Sequence, residues 1–253
     1  MNSIFSLKKD ICEVGKRVYD RGYVAANDGN ISVRLDNDRI LCTPTGVSKG
    51  YLTEEMLAVC DLEGKQISGS VPISSEIRMH LEIYKLRDDI SSVVHAHPPT
   101  ATGFAVAGIE LTKCVLPEVI VSLGGIPLAE YGTPGGVDIV EPMKPLLKEY
   151  DAILMANHGV VTLGTHVMDA HFKMETVEHF AKIALVATQL GSVNTLSNQH
   201  VDELIELRNR FGIVGRPACD PGDREGPKSN EKNGEVNDLV EQITKEVMGK
   251  LKV

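Results

Sequence analysis

The chain has no Cys-x-x-Cys pair, no apolar run of membrane-spanning length, no internal repeat and no excess of positive charge. Its cysteines, Cys12, Cys42, Cys60, Cys114 and Cys219, are scattered and odd in number. Such a set reads as reduced thiols in a cytoplasmic protein. Residues 1–9 lack an apolar stretch of signal length, and nothing approaches the roughly 20 apolar residues of a membrane helix. A cytoplasmic location with no membrane partner is therefore expected. The formal net charge of −9 argues against non-specific attachment to nucleic acid or to an anionic membrane.

What is present is ordinary in bulk. The 253 residues are 42% hydrophobic and 24% charged, which suits one large globular domain or two small ones. Apolar spacing predicts helices over residues 6–23, 74–86, 99–107, 167–190 and 198–210, and partial helix over 137–149 despite Pro142 and Pro145. Short strands are predicted over 31–34 and 39–43, joined by Asp36-Asn37-Asp38, and over 56–61, 91–95, 152–155 and 160–163. Residues 118–122 form a further short element. Alternating strands and helices, with several strands linked by hairpins, predict an α/β domain whose central, mostly antiparallel sheet is covered by helices.

The chain is organised around Val93-Val94-His95-Ala96-His97-Pro98-Pro99. Side chains at i and i+2 of a strand share a face, so His95 and His97 project together from a strand end. Imidazole is a common zinc ligand, although two surface histidines would give the same pattern. Asn157-His158-Gly159 supplies a third imidazole after another buried-type strand. Three histidines with open positions opposite make a catalytic metal set. His171, Glu175 and His179 share a helix face at i, i+4 and i+8, which reads as a packed or solvated face. Ser74-Ser75-Glu76 reads as a helix start, either a plain N-cap or an anion cradle. Gly29-Asn30 and Thr43-Pro44-Thr45-Gly46 are two further small polar loops, and the three together could bind a phosphate through neutral donors. Glu76, beside them, could bind a metal or act as a base.

Taken in order, Gly29-Asn30-Ile31-Ser32-Val33-Arg34, Thr43-Pro44-Thr45-Gly46, Ser74-Ser75-Glu76, His95-Ala96-His97 and Asn157-His158-Gly159 resemble the class II aldolase/adducin family, in its L-fuculose-phosphate aldolase-like branch. The resemblance covers roughly residues 7–212. It implies a three-layer class II aldolase fold over residues 1–215 and one zinc ion per subunit, held by His95, His97, His158 and, before substrate arrives, Glu76. It implies acid/base catalysis by Glu76 and phosphate binding by Gly29, Asn30, Thr45, Gly46, Ser74 and Ser75. The implied reaction is cleavage of a deoxyketose 1-phosphate, L-fuculose 1-phosphate or also L-rhamnulose 1-phosphate, to dihydroxyacetone phosphate and lactaldehyde, in a homotetramer with sites between subunits. Two positions depart from the branch: Glu118 and Phe211 stand where it has tyrosines at the aldehyde end. Glu118 is the candidate catalytic acid for that half, against a structural role after the Pro117 turn. Alternative activities within the superfamily are those of an epimerase, dehydratase or decarboxylase of another phosphorylated sugar. A non-catalytic adducin-like scaffold is the remaining alternative, but such members lack the histidines kept here.

Beyond the family domain, residues 216–236 are rich in Pro, Gly and charge and read as a flexible linker. Residues 237–253 regain a period: Leu239, Ile243, Val247 and Leu251 recur every fourth position, which predicts an amphipathic helix. A linker followed by such a helix resembles the encapsulation peptides of bacterial microcompartments. That resemblance implies a shell protein as partner and a location inside a compartment that confines the aldehyde product. The alternatives are a helix packed on its own oligomer, or a frayed tail.

Overall fold

The computed structural model describes residues 3–136 and 138–213. The linker expected over 216–236 and the helix expected over 237–253 lie outside the described residues. Eight strands form one sheet: β1 (Asn30–Arg34), β2 (Arg39–Cys42), β3 (Ala58–Asp61), β4 (Gln66–Ser68), β5 (Ser92–Ala96), β6 (Leu128–Ala129), β7 (Ala152–Met155) and β8 (Gly159–Gly164). Their order is β4-β3-β2-β1-β5-β8-β7-β6. Every pairing is antiparallel except that of β6 with β7. β5, which carries the His-Ala-His motif, therefore runs through the interior of the sheet between β1 and β8.

Alternation along the strands divides the core in two. Leu41, Val94, Leu154 and Val160 enter one apolar cluster with α1 (Ile4–Asp20), α3 (Pro99–Val106) and α6 (Val167–Gln189). Their chain neighbours Ile40, Val93, Ile153 and Val161 enter the other, with α2 (Ile77–Leu86) and α5 (Lys144–Leu147). Strands buried on both faces read as continuous apolar runs, which is how residues 152–155 and 160–163 stood out. Each fully buried Val, Leu or Ile contributes roughly 1.5–3 kcal/mol, so both layers hold the sheet against its helices. This is the α/β arrangement of helix, mostly antiparallel sheet and helix. α4 (Pro117–Ser122) is tied to α7 (Asn198–Arg210) by the Arg208 guanidinium, which donates to the carbonyls of Ile120 and Val121 at 3.4 and 2.8 Å.

Two expectations are corrected, the start of one helix and the state of one cysteine. The helix expected from residue 74 begins at Ile77; Ser74-Ser75-Glu76 is a turn in which Ser74 Oγ accepts from the amide of Glu76 at 3.3 Å. The partial helix expected over 137–149 is present as a 3₁₀ turn, Glu141–Met143, followed by the four residues of α5. β4 and β6 went unseen because strands of 3 and 2 residues carry too little alternation to read. Cys12, Cys42 and Cys60 are free thiols as expected, whereas Cys114 is disulfide-bonded. Among the described residues no helix is long and apolar enough to cross a membrane.

Candidate active site

His95 lies on the same face of β5 as Val93, beneath α2, and is 1% exposed. Its Nδ1 is 2.9 Å from the carbonyl oxygen of Val160 on β8. A carbonyl only accepts, so Nδ1 carries the proton and Nε2 presents its lone pair. His97 Nε2 is 3.1 Å from that nitrogen. His158 enters from the β7–β8 turn, where Asn157 takes a left-handed φ of 57°, a conformation Asn tolerates. The ring centroids are 4.9, 4.8 and 5.1 Å apart, and one nitrogen from each ring falls within 4.8 Å of the others.

Gly159 makes this convergence feasible. A Cβ there would stand 2.6 Å from both the carbonyl oxygen of Ala96 and Cδ2 of His97, and 3.3 Å from Cε1 of His95. Burial pushes the His95 imidazole down to about 3 and also lowers His97 from its ordinary value. Both rings are thus neutral at neutral pH, the protonation state that ligates metal. Three imidazoles turned toward one point form a donor set suited to a zinc-like divalent cation.

Glu76 closes the group from the turn before α2. Its Oε1 is 3.4 Å from Nε2 of His158, and its Oε2 is 3.7 Å from Nε2 of His95. Burial pushes the carboxyl up. Hydrogen bonds with His158 and with the amide of Asn30, and the adjoining His95 and His158 rings, outweigh it and hold the group low, at about 2. Glu76 is therefore ionised and can serve either as a ligand or as a base.

Beside the histidines lies a cleft of ≈ 270 Å³. Gly29, Asn30, Thr45, Gly46, Ser74 and Ser75 all line it, as do Glu76 and His97. Backbone bonds bring the three loops together. Thr45 N donates to the carbonyl of Pro72 at 2.9 Å, and Ser74 N to that of Thr43 at 3.3 Å. Thr43 Oγ1 accepts from the amide of Ile31 at 3.1 Å. Gly29, at φ +74°, approaches β5 so closely that a Cβ would meet the carbonyl oxygen of His95 at 2.9 Å. Backbone amides and hydroxyls on three loops form the kind of concavity that receives an anion.

Other candidates fall elsewhere. Glu118 is exposed on α4 and is not among the residues lining the cleft. Phe211 is 65% exposed at the end of α7. His171 is fully buried, with Nε2 3.1 Å from Glu175, which also pairs with Arg21, while His179 is exposed; this is a packed helix face. Two cleft residues escaped the sequence reading. Asp28 Oδ2 stands 3.6 Å from Nδ1 of His97. Lys49, a lone lysine before Gly50, gave no pattern to follow, yet it lines the cleft.

The family model for the class II aldolase and adducin N-terminal domain matches residues 9–185. The chain is 35% identical over 181 residues to an L-fuculose phosphate aldolase of Methanococcus maripaludis, covering 72% of this chain and 97% of that protein. It is 34% identical over 201 residues to a 3-oxo-tetronate 4-phosphate decarboxylase of Haemophilus influenzae, covering 78% and 95%. Among solved structures, an L-fuculose 1-phosphate aldolase superposes with a TM-score of 0.75 at 28% identity, over 83% of this chain and 98% of that one.

Proposed function

The chain belongs to the class II aldolase and adducin family, and within it we propose a zinc-dependent aldolase that cleaves a deoxyketose 1-phosphate, with L-fuculose 1-phosphate as the first substrate to try. The products are dihydroxyacetone phosphate and lactaldehyde. One observation carries this reading: the His95, His97 and His158 nitrogens, the Glu76 carboxylate and the three-loop cleft are contiguous. A non-catalytic scaffold has no need of that juxtaposition.

His95, His97 and His158 would hold the metal, with Glu76 as a fourth ligand in the resting enzyme. Bound there, zinc supplies Lewis acidity that polarises the ketone and stabilises negative charge on its oxygen. Asn30, Thr45, Gly46, Ser74 and Ser75, with Gly29 adjoining, anchor the phosphate through hydrogen bonds and fix the ketone beside Glu76. The bond between the carbon next to the ketone and the hydroxyl-bearing carbon breaks, and its electron pair stays on the ketone half. Glu76 moves the proton at that carbon, as a positioned carboxylate can. The hydroxyl of the aldehyde half loses its proton as its carbon becomes a carbonyl.

Glu118 is exposed and lies outside the cleft-lining residues, so it does not take that last proton within its own chain. We therefore assign Glu118 and the exposed Phe211 to contacts with a neighbouring subunit's site in a homotetramer. The same observation favours a second reading, decarboxylation of a phosphorylated 3-oxo sugar acid, in which carbon dioxide leaves and no hydroxyl must be deprotonated. Incubating the zinc-loaded protein separately with L-fuculose 1-phosphate and with 3-oxo-tetronate 4-phosphate decides between them. Dihydroxyacetone phosphate from the first supports the aldolase; carbon dioxide from the second, with none of the former, replaces it by the decarboxylase. The encapsulation role of residues 237–253 is a separate proposal. Deleting residues 216–253 should leave the reaction intact and abolish co-assembly with shell protein, and co-assembly of the truncated chain would refute it.

A further inference from the structure

The proposed anion cleft carries carboxylates of its own. Asp28 and Glu76 line it, and Lys49 is the one lysine or arginine among the described residues that do so. Lys49 is 1% exposed. Its Nζ donates to the carbonyl of Asn27 at 2.9 Å and to that of Val47 at 2.7 Å. Those carbonyls belong to the two loops that bear Gly29-Asn30 and Thr45-Gly46. A single ammonium therefore ties both loops together and keeps one of its three donors. Asp28 and Glu76 act on it through space only.

A buried ammonium held by carbonyls, with no carboxylate hydrogen-bonded to it, bears a desolvation cost that the through-space pull of Asp28 and Glu76 offsets only in part. Burial accordingly draws the group down from its ordinary value to about 8. Neutral donors alone would meet a doubly charged phosphate across two carboxylates, a repulsive arrangement. We propose that Lys49 is a positioning residue of the cleft, clamping the loops at Asn27 and Val47 and supplying the positive charge that selects a phosphorylated ligand. The inference rests on the reading of the cleft as a phosphate site.

The test uses the full-length, zinc-loaded protein and two variants. Lys49→Gln keeps an N–H donor for the carbonyls and removes the charge, whereas Lys49→Met removes both. The readouts are melting temperature, zinc content, the Kd of inorganic phosphate by calorimetry, and KM against kcat for L-fuculose 1-phosphate. For whichever variant melts as the wild type does, the expectation is unchanged zinc, a phosphate Kd and KM raised about tenfold or more, and kcat within about threefold, the size of one charge-assisted hydrogen bond. Phosphate Kd and KM within twofold of wild type in such a variant would overturn the assignment, as would a fall in kcat at unchanged phosphate Kd. Failure of the wild type to bind phosphate would overturn the phosphate reading and this inference with it. Normal binding by wild type and variants alike would overturn Lys49 alone.

Discussion

Asn30 donates its side-chain amide to Oε2 of Glu76 at 2.6 Å. The two residues are 46 positions apart, and their contact joins the cleft to the carboxylate proposed to move the proton. It also helps to keep that carboxylate ionised. Asn30→Asp replaces the donor with a like charge, which disfavours the charged form of Glu76. The acid limb of the pH profile of kcat/KM should move up by roughly one unit or more, because protons then compete for Glu76 at higher pH. An unmoved limb would mean that another group sets it.

Gly159 should tolerate no side chain. Gly159→Ala would place a methyl 2.6 Å from Cδ2 of His97 and from the carbonyl of Ala96. Overpacking of this kind costs about 1–3 kcal/mol, and here it would also turn a metal ligand. Zinc titration against a competing chelator should show affinity reduced at least tenfold, together with a lower melting temperature. Wild-type affinity in the variant would mean that His97 does not ligate.

Acid should destabilise the fold through its buried imidazoles. His80 is fully buried, its Nδ1 2.7 Å from Ser32 Oγ, and burial holds it at about 3. The unfolded chain takes up a proton near the ordinary pH of about 6.5, whereas the native chain does not until near 3. The unfolded state thus binds more protons between those values, and stability present above about 6.5 is lost as pH falls toward 3. The loss reaches about 1.4 kcal/mol per pH unit for one fully shifted group. The drop in melting temperature between pH 7 and pH 5 should therefore be smaller in His80→Gln than in wild type. Equal drops would mean that His80 is protonated in the native state.

Much of the site was legible in the sequence because its chemistry is local. His95 and His97 are two residues apart at the end of a strand, and Gly29, Gly46 and Gly159 mark points where backbone approaches backbone or turns left-handed. Other features were hidden because they depend on contacts distant in sequence. Lys49 matters through carbonyls at Asn27 and Val47 that only folding brings to it. The turn at Ser74-Ser75-Glu76 imitates a helix start because Ser74 Oγ caps it locally. Glu118 follows Pro117 as a helix opener, and nothing in its surroundings showed whether it would face the cleft. Among the strands, those of four or more residues buried on both faces were readable, whereas β4 and β6 owe their existence to pairing with β3 and β7.

The proposed function stands on Glu76 moving the proton beside a metal held by His95, His97 and His158. Its most direct test is the rate of dihydroxyacetone phosphate release from L-fuculose 1-phosphate by zinc-loaded wild type and Glu76→Gln side by side. The account predicts release by wild type, loss on chelation with recovery on adding zinc, and a roughly 10²–10⁴-fold lower rate in the variant, which still binds zinc through its three histidines. Equal rates in the two proteins, or release that survives complete removal of metal, would contradict it.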